Sequence, residues 1–257
     1  MYKIQPKTVF LGKTSEYLPV CHSTNDYCQQ LLAINEPENG FFVHADFQTK
    51  GRGQRGNNWE AIKGKNILMS IILKPNFLKA TDQFQLNMAV SLGILAAIKS
   101  IFQEKEIHNN LKIKWPNDIY FENKKLGGIL IENTILGSNL NCSIIGIGLN
   151  INQMVFENRN AISVLQILNR VEAIHLNLII EKILEQIEYY YLKLKNSEEL
   201  ELDYLKSLFR INEIHHFRKN EFDFLGKIVG IDAFGRLKIE VENQLQVFDF
   251  KEVGFVI

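Results

Sequence analysis

The sequence predicts an α+β fold, with strands and helices mixed over residues 1–210 and a small all-β unit over 211–257. Helix-period and strand-like runs follow one another through the first stretch without a repeat or a Gly/Ser/Pro-rich linker, so it reads as one unit. After Arg210 the pattern changes to apolar/polar alternation broken by short turns. A chain of 257 residues accommodates one large domain with a small satellite.

Taken in order, Ser23-Thr24-Asn25-Asp26 is a helix start, with Leu31 and Leu32 on the following face. Phe41–Ala45 and Ile67–Leu73 are strand-like runs closed by polar residues or proline. Between Asp82 and Gln103, Leu86, Val90, Ala97 and Ile101 recur on one helical face. Extended runs on either side of Glu122-Asn123-Lys124 predict a hairpin with a polar turn. The run Ile144 to Asn152 contains Gly146 and Gly148, and glycines within a strand mark close approach by a ligand or another backbone. A long helix is predicted from Leu176 to Leu194 and another from Glu198 to Phe209. In the tail, Gly226–Asp232, Arg236–Glu242 and Leu245–Phe250 alternate as strands of a partly open barrel. A unit of that size is near the lower limit for independent folding and should lean on the larger one. His215-His216 opens the tail without ligand partners and reads as surface.

Composition narrows the function class. Apolar residues make up 46%, which supports a real core, and the 29 basic and 29 acidic side chains cancel. A neutral total gives no general attraction to nucleic acid or anionic membrane, so phosphate chemistry must come from local clusters. No apolar run resembles a signal peptide or a membrane span. Cys21, Cys28 and Cys142 are odd in number and form no CxxC pair; they read as buried hydrophobes in a reducing, cytoplasmic setting, without disulfides or zinc.

Gly51-Arg52-Gly53-Gln54-Arg55-Gly56 matches GxGxxG, but no helix opens at the third glycine and no acidic residue ends a following strand, so a dinucleotide fold is excluded. The kinase elements that would accompany such a loop are missing. Leu11-Gly12-Lys13-Thr14 resembles the end of a P-loop, but Lys7 stands where its first glycine belongs. What remains is a loop able to turn backbone N–H groups toward an anion, two arginines with forked donors, and Trp59 as a flat face for adenine. An exposed flexible turn with solvated arginines is the competing reading of these residues taken alone.

The order Ser23-Thr24-Asn25, Gln48, Gly51–Gly56 with Trp59, Lys114-Trp115-Pro116-Asn117-Asp118, Lys125-Leu126-Gly127-Gly128-Ile129-Leu130 and Gly146-Ile147-Gly148-Leu149-Asn150 resembles the biotin–protein ligase family, from about residue 9 to the C-terminus. The resemblance implies a mixed sheet with flanking helices, related to class II synthetase cores, followed by an SH3-like barrel. It implies an ATP-dependent ligase that forms biotinyl-5'-AMP from biotin and Mg·ATP and passes biotin to a lysine of a biotin carboxyl carrier protein. One departure is that Gln54 and Asn57 stand where many members carry arginine, which leaves anion binding to Arg52, Arg55 and Lys125.

By the same resemblance, Lys125, Arg52 and Arg55 bridge the biotin carboxylate and the α-phosphate, and Asp118 orients Lys125 or meets Mg²⁺. Ser23, Thr24, Asn25, Gln48, Arg52, Gly53, Gln54, Lys125, Gly127 and Gly128 match biotin-contacting positions. Arg52, Arg55, Trp59, Lys114, Asn117 and Asn150 match the nucleotide side. Trp115 reads as core. Closure of the glycine loop would exclude water from the adenylate, and residues 51–60 are expected to be mobile without ligand.

A lipoate–protein ligase would share the Lys125 logic, but is not expected to combine this loop with a barrel-like tail. Repressor members carry an N-terminal DNA-binding domain, and the residues ahead of Ser23 are too few for one. A ligase without nucleic-acid or membrane partners is therefore expected. Self-pairing as a homodimer, or docking of the carrier, through an exposed sheet edge is compatible with the resemblance.

Overall fold

The computed structural model describes residues 3–256, apart from the side chains of Arg55 and Lys105. The strands of the larger unit are β1 (Ser15–Leu18), β2 (Phe42–Ala45), β3 (Ile67–Leu73), β4 (Leu111–Lys114), β5 (Asp118–Phe121), β6 (Lys124–Leu136) and β7 (Asn139–Leu149). They form a seven-stranded sheet in the order β1-β2-β3-β7-β6-β5-β4. β1 and β2 are parallel and the other neighbours antiparallel, so the sheet is mixed.

The helices are α1 (Thr24–Ile34), α2 (Gln83–Lys99), α3 (Lys105–Asn110), α4 (Val164–Ile167), α5 (Leu176–Lys195) and α6 (Glu201–Ser207). α2 is apolar nearly all round and is buried between the sheet and α5. At Gly93 a Cβ would come within 2.7 Å of the Ile187 backbone, so only glycine lets α2 and α5 pack this closely. α5 shows one apolar stripe, Ile179, Ile180, Ile183, Leu184, Ile187 and Tyr191, facing that interface. Its Glu188 is 5% exposed. The Glu188 carboxylate accepts the backbone N–H groups of Val9, Phe10 and Leu11 at 2.6–2.9 Å, which straps the N-terminal segment along the helix.

The tail strands are β8 (Ile214–Lys219), β9 (Phe222–Ile231), β10 (Leu237–Val241), β11 (Gln244–Phe248) and β12 (Gly254–Phe255), in the order β11-β10-β9-β8-β12. Their core residues Phe217, Ile228, Leu237, Ile239 and Phe248 belong to one apolar cluster with the larger unit. The seam is aromatic: Trp115 stacks on Phe250 at 5.3 Å, Phe250 stacks on Phe84, and Trp115 Nε1 donates to Gly235 O at 2.8 Å. The expectation that the tail leans on the larger unit is met here.

Several boundaries differ from the sequence expectations. α2 ends at Lys99, and Ile101 sits in a turn. α6 is shorter than Glu198–Phe209 because its end turns out to pair Phe209 N with Ile113 O. β7 starts at Asn139, ahead of the apolar run, because its partner β6 is long. His215 and His216 lie on β8, a strand with one buried residue, Phe217, and hence no alternation to read.

Candidate active site

One cavity of about 260 Å³ opens on the face of the seven-stranded sheet, running from α1 past β7 and β6 to β4 and the tail. Its near wall is the α1 start. Ser23 caps the helix by accepting from Asp26 N at 3.5 Å, and Ser23, Thr24 and Asn25 are each 3% exposed. Residues 21–22 pair with 47–50, through Cys21 N to Phe47 O, Thr49 N to Cys21 O and Lys50 N to His22 O. That pairing sets Gln48 Oε1 to accept both Thr24 N and Thr24 Oγ1, at 2.7 and 3.0 Å. Ser70, in the middle of β3, lies 2.7 Å from Thr24 Oγ1 and 2.6 Å from Asn25 Oδ1. Buried polar groups in this wall therefore hold one another in fixed orientation.

The glycine loop forms the roof. It is a small hairpin: Trp59 N donates to Gly51 O at 2.9 Å, Gly53 N to Asn57 O at 2.6 Å, and Gln54–Gly56 make a 3-10 turn. Arg52 fastens it. One guanidinium nitrogen lies 2.6 Å from Asp26 Oδ1 and 3.1 Å from Glu132 Oε2, and Glu132 Oε2 also accepts from Asn25 Nδ2 at 2.7 Å. The loop is thus tied to α1 and β6 by an ion pair that an incoming anion must compete with. The Arg55 side chain, expected to share its work, lies outside the described residues.

The floor is bare backbone. Gly128 and Gly148 pair across β6 and β7. A Cβ on Gly148 would come within 2.5 Å of the Trp59 indole, and one on Gly128 within 3.2 Å of it. A Cβ on Gly146 would run into the Asn25 amide. The glycines of this floor thus admit Trp59 and Asn25, and Trp59 Nε1 is buried there without a partner among the described residues.

Lys125 enters the cavity through a break in strand phase. Strict alternation would send Gly128, Leu126 and Lys124 to one face and Lys125 to the other. The β5–β6 register shifts between Ile119 and Tyr120, so that Ile119 faces Gly127 while Tyr120 faces Lys125. The bulge leaves Leu126 fully buried and turns Lys125 back to the cavity side, as bulges beside functional sites do. Its Nζ lies 2.8 Å from Asp118 Oδ1 and 5.6 Å from the centre of the Trp59 ring.

The far wall joins the KWPND segment to the tail. Lys114 Nζ sits over Tyr120 at 5.1 Å and over Phe255 at 4.8 Å. Burial is the main cause that lowers its pKa, opposed by Asp118 and reinforced by Lys125 and Arg210. Asn117 is buried and donates from Nδ2 to Ile129 O, which fixes the turn ahead of Asp118.

Of the residues expected from sequence, the cavity brings together Ser23, Thr24, Asn25, Gln48, Arg52, Gly53, Gln54, Trp59, Lys114, Asn117, Asp118, Lys125 and Gly128. Gly127 and Asn150 do not line it. Gly127 lies on the opposite face, where its missing Cβ makes room for Leu149. Asn150 donates from Nδ2 to Ile162 O at 3.2 Å and Lys125 O at 3.4 Å, bracing the strand behind Lys125. Trp115 lines the cavity as well as closing the seam. Sequence reasoning missed Ser70, Glu132, Asp26 and the tail residues Lys251 and Phe255. Ser70 is a lone polar residue in an otherwise apolar strand, which was a readable signal; the others are visible only once the chain is folded.

The sequence pattern of the biotin/lipoate A/B protein ligase family matches residues 17–150. The chain is 38% identical over 148 residues to the bifunctional ligase/repressor BirA of Bacillus subtilis, a match covering 57% of this chain and 43% of that protein. It therefore spans less than half the length of that relative. It is 27% identical over 234 residues to the biotin–[acetyl-CoA-carboxylase] ligase of Mycobacterium tuberculosis, covering 90% of this chain and 85% of that one. The fold is similar to the Aquifex aeolicus biotin protein ligase in complex with biotin and ATP, with TM-score 0.77 at 24% identity, over 94% of this chain and 98% of the other. Strands β2–β7, the glycine loop and the Lys125 segment all fall within the matched stretch, and the chain belongs to the biotin/lipoate A/B protein ligase family.

Proposed function

We propose that this chain activates biotin as biotinyl-5'-AMP and transfers it to a lysine of a carboxyl carrier protein. The observation that carries the proposal is Lys125, turned by a strand bulge into a cavity between a polar, pre-ordered wall and a glycine-loop roof. The similarity to proteins named as biotin ligases favours biotin over lipoate as the acyl group.

In the first step a carboxylate oxygen attacks the α-phosphorus, the bond to the β-phosphate breaks, and pyrophosphate leaves. Two anions must meet and charge builds at phosphorus, so placed cations rather than a general base are the requirement. Lys125, held by Asp118, would meet both anions. Arg52 would exchange Asp26 and Glu132 for the ligand, and that exchange would couple roof closure to occupancy. Thr24, Asn25 and Gln48 offer the donors and acceptors that a ureido ring needs. Mg²⁺ enters with ATP. Such an ion takes one or two carboxylates plus phosphates, and no group of three or more metal-ligating side chains stands ready among the described residues. In the second step the carrier amine attacks the acyl carbon and AMP leaves. The larger unit over 1–210 would hold both reactants, and the unit over 211–257 would close the nucleotide end.

The proposal is tested by transfer of biotin to a purified carrier domain, read with streptavidin. Loss of transfer in Lys125→Ala, and no transfer of lipoate by the wild type, are expected. Undiminished transfer by the variant would remove the assignment of Lys125.

A further inference from the structure

We propose that Lys251, carried by the tail, is a further phosphate-binding cation of this cavity, contacting the β- and γ-phosphates that leave as pyrophosphate. The proposal deepens the adenylation reading and rests on it. Lys251 lies in the turn between β11 and β12, and it lines both the main cavity and an adjoining groove with Arg218 and Asn220.

The turn is anchored on both sides. Phe250 stacks on Trp115 at 5.3 Å, and Val253 is buried. Its acidic neighbours face the turn's own amides: Glu252 Oε2 accepts from Asp249 N at 2.9 Å, and Asp249 Oδ1 accepts from Phe250 N at 2.6 Å. Lys251 itself has φ of 69°, in the left-handed region where a lysine is strained and a glycine or asparagine would not be. A residue held in such a conformation beside a cavity is where stored strain and function coincide.

Charge separates Lys251 from the other cations of the site. Arg52 is answered by Asp26 and Glu132, and Lys125 by Asp118. Lys114 is packed on Tyr120 and Phe255. Among the described residues Lys251 has no hydrogen-bond or ion-pair partner. Sheet order fixes which part of the ligand it meets. The Ser23–Asn25 wall lies over β3 and β7, through Ser70 and Gly146, Lys125 is on β6, and Lys114 is on the edge strand β4 beside the tail. A carboxylate activated at Lys125 with its ring against α1 leaves the outer phosphates pointing toward Lys114 and Lys251. Gln54 and Asn57 add no charge to the roof, and Lys251 adds a cation beside Lys114 at this end of the cavity.

The test uses the full chain and two measurements. Calorimetry reads Mg·ATP and pyrophosphate binding without any acyl acid, and biotin-dependent ATP–pyrophosphate exchange reads the KM values. Lys251→Gly removes the charge and relieves the backbone; it should weaken Mg·ATP binding about tenfold, leave the KM for biotin unchanged, and keep or raise the melting temperature. Lys251→Arg should retain wild-type binding. Unchanged Mg·ATP binding in Lys251→Gly, or a change confined to the KM for the carrier domain, would overturn the proposal. Mg·ATP binding that depends on Lys251 in a protein showing no biotin-dependent exchange would sink the biotin reading and leave the phosphate contact standing.

Discussion

Gly148→Ala tests how the cavity floor is built. The added methyl would lie 2.5–2.9 Å from three indole atoms of Trp59, closer than real Cβ atoms approach other groups. The indole cannot give way easily. Gly128 lies against its other edge, Lys125 Nζ sits 5.6 Å from its ring, and Trp59 N is bonded to Gly51 O in the loop hairpin. Relief therefore requires lifting the loop, which strains the Arg52 link to Asp26 and Glu132. Overpacking of this kind costs about 1–3 kcal/mol. Part of that would appear as a lower melting temperature and the rest as weaker ligand binding, with a rise in the KM for the acyl acid of about tenfold. Gly127→Ala is the paired control, since it meets Leu149 on the far face and should cost stability without touching the KM. Melting curves and steady-state kinetics on both variants read the result. A Gly148→Ala protein with unaltered melting and KM would show that Trp59 does not rest on this floor.

Two further outcomes follow from groups away from the cavity, the buried Glu188 and the half-buried His44. Glu188→Ala strands three N–H groups of residues 9–11 and should destabilise the fold by about 2–4 kcal/mol; urea titration measures it, and early proteolysis of the first ten residues should accompany it. His44 has its pKa lowered by burial, with Asp46 opposing. In the window just below its ordinary value of 6.5 the unfolded chain binds the extra proton, so stability is present above that window and is lost as pH falls through the folded pKa. Replacing His44 by Gln should flatten the pH dependence of the urea midpoint below pH 6.5; an unchanged slope would mean that other groups carry it.

How much of this could be read beforehand depended on the kind of signal. β3 matched its run to the residue because every side chain in it is buried and both ends are marked. β8 escaped because only Phe217 faces the core. The cavity lining was legible where a motif is contiguous, as in Ser23–Asn25, Arg52–Gln54 and Lys114–Asp118. It misled where strand phase decides. Gly127 and Gly128 are equivalent as letters, yet the pleat sends them to opposite faces, and the bulge that returns Lys125 to the cavity has no sequence mark. Glu132 and Lys251 are ordinary charges in the sequence. The first matters because α1 and the loop converge on it, the second because the tail folds back beside Trp115.

The most direct test of the central claim is biotin-dependent exchange of labelled pyrophosphate into ATP by the wild type and by Lys125→Ala. Exchange that requires biotin, is not supported by lipoate, and falls about 10²–10³-fold in the variant is the expected result. Exchange that proceeds without biotin, or that survives the loss of Lys125, would contradict an acyl-adenylate centre built around this lysine.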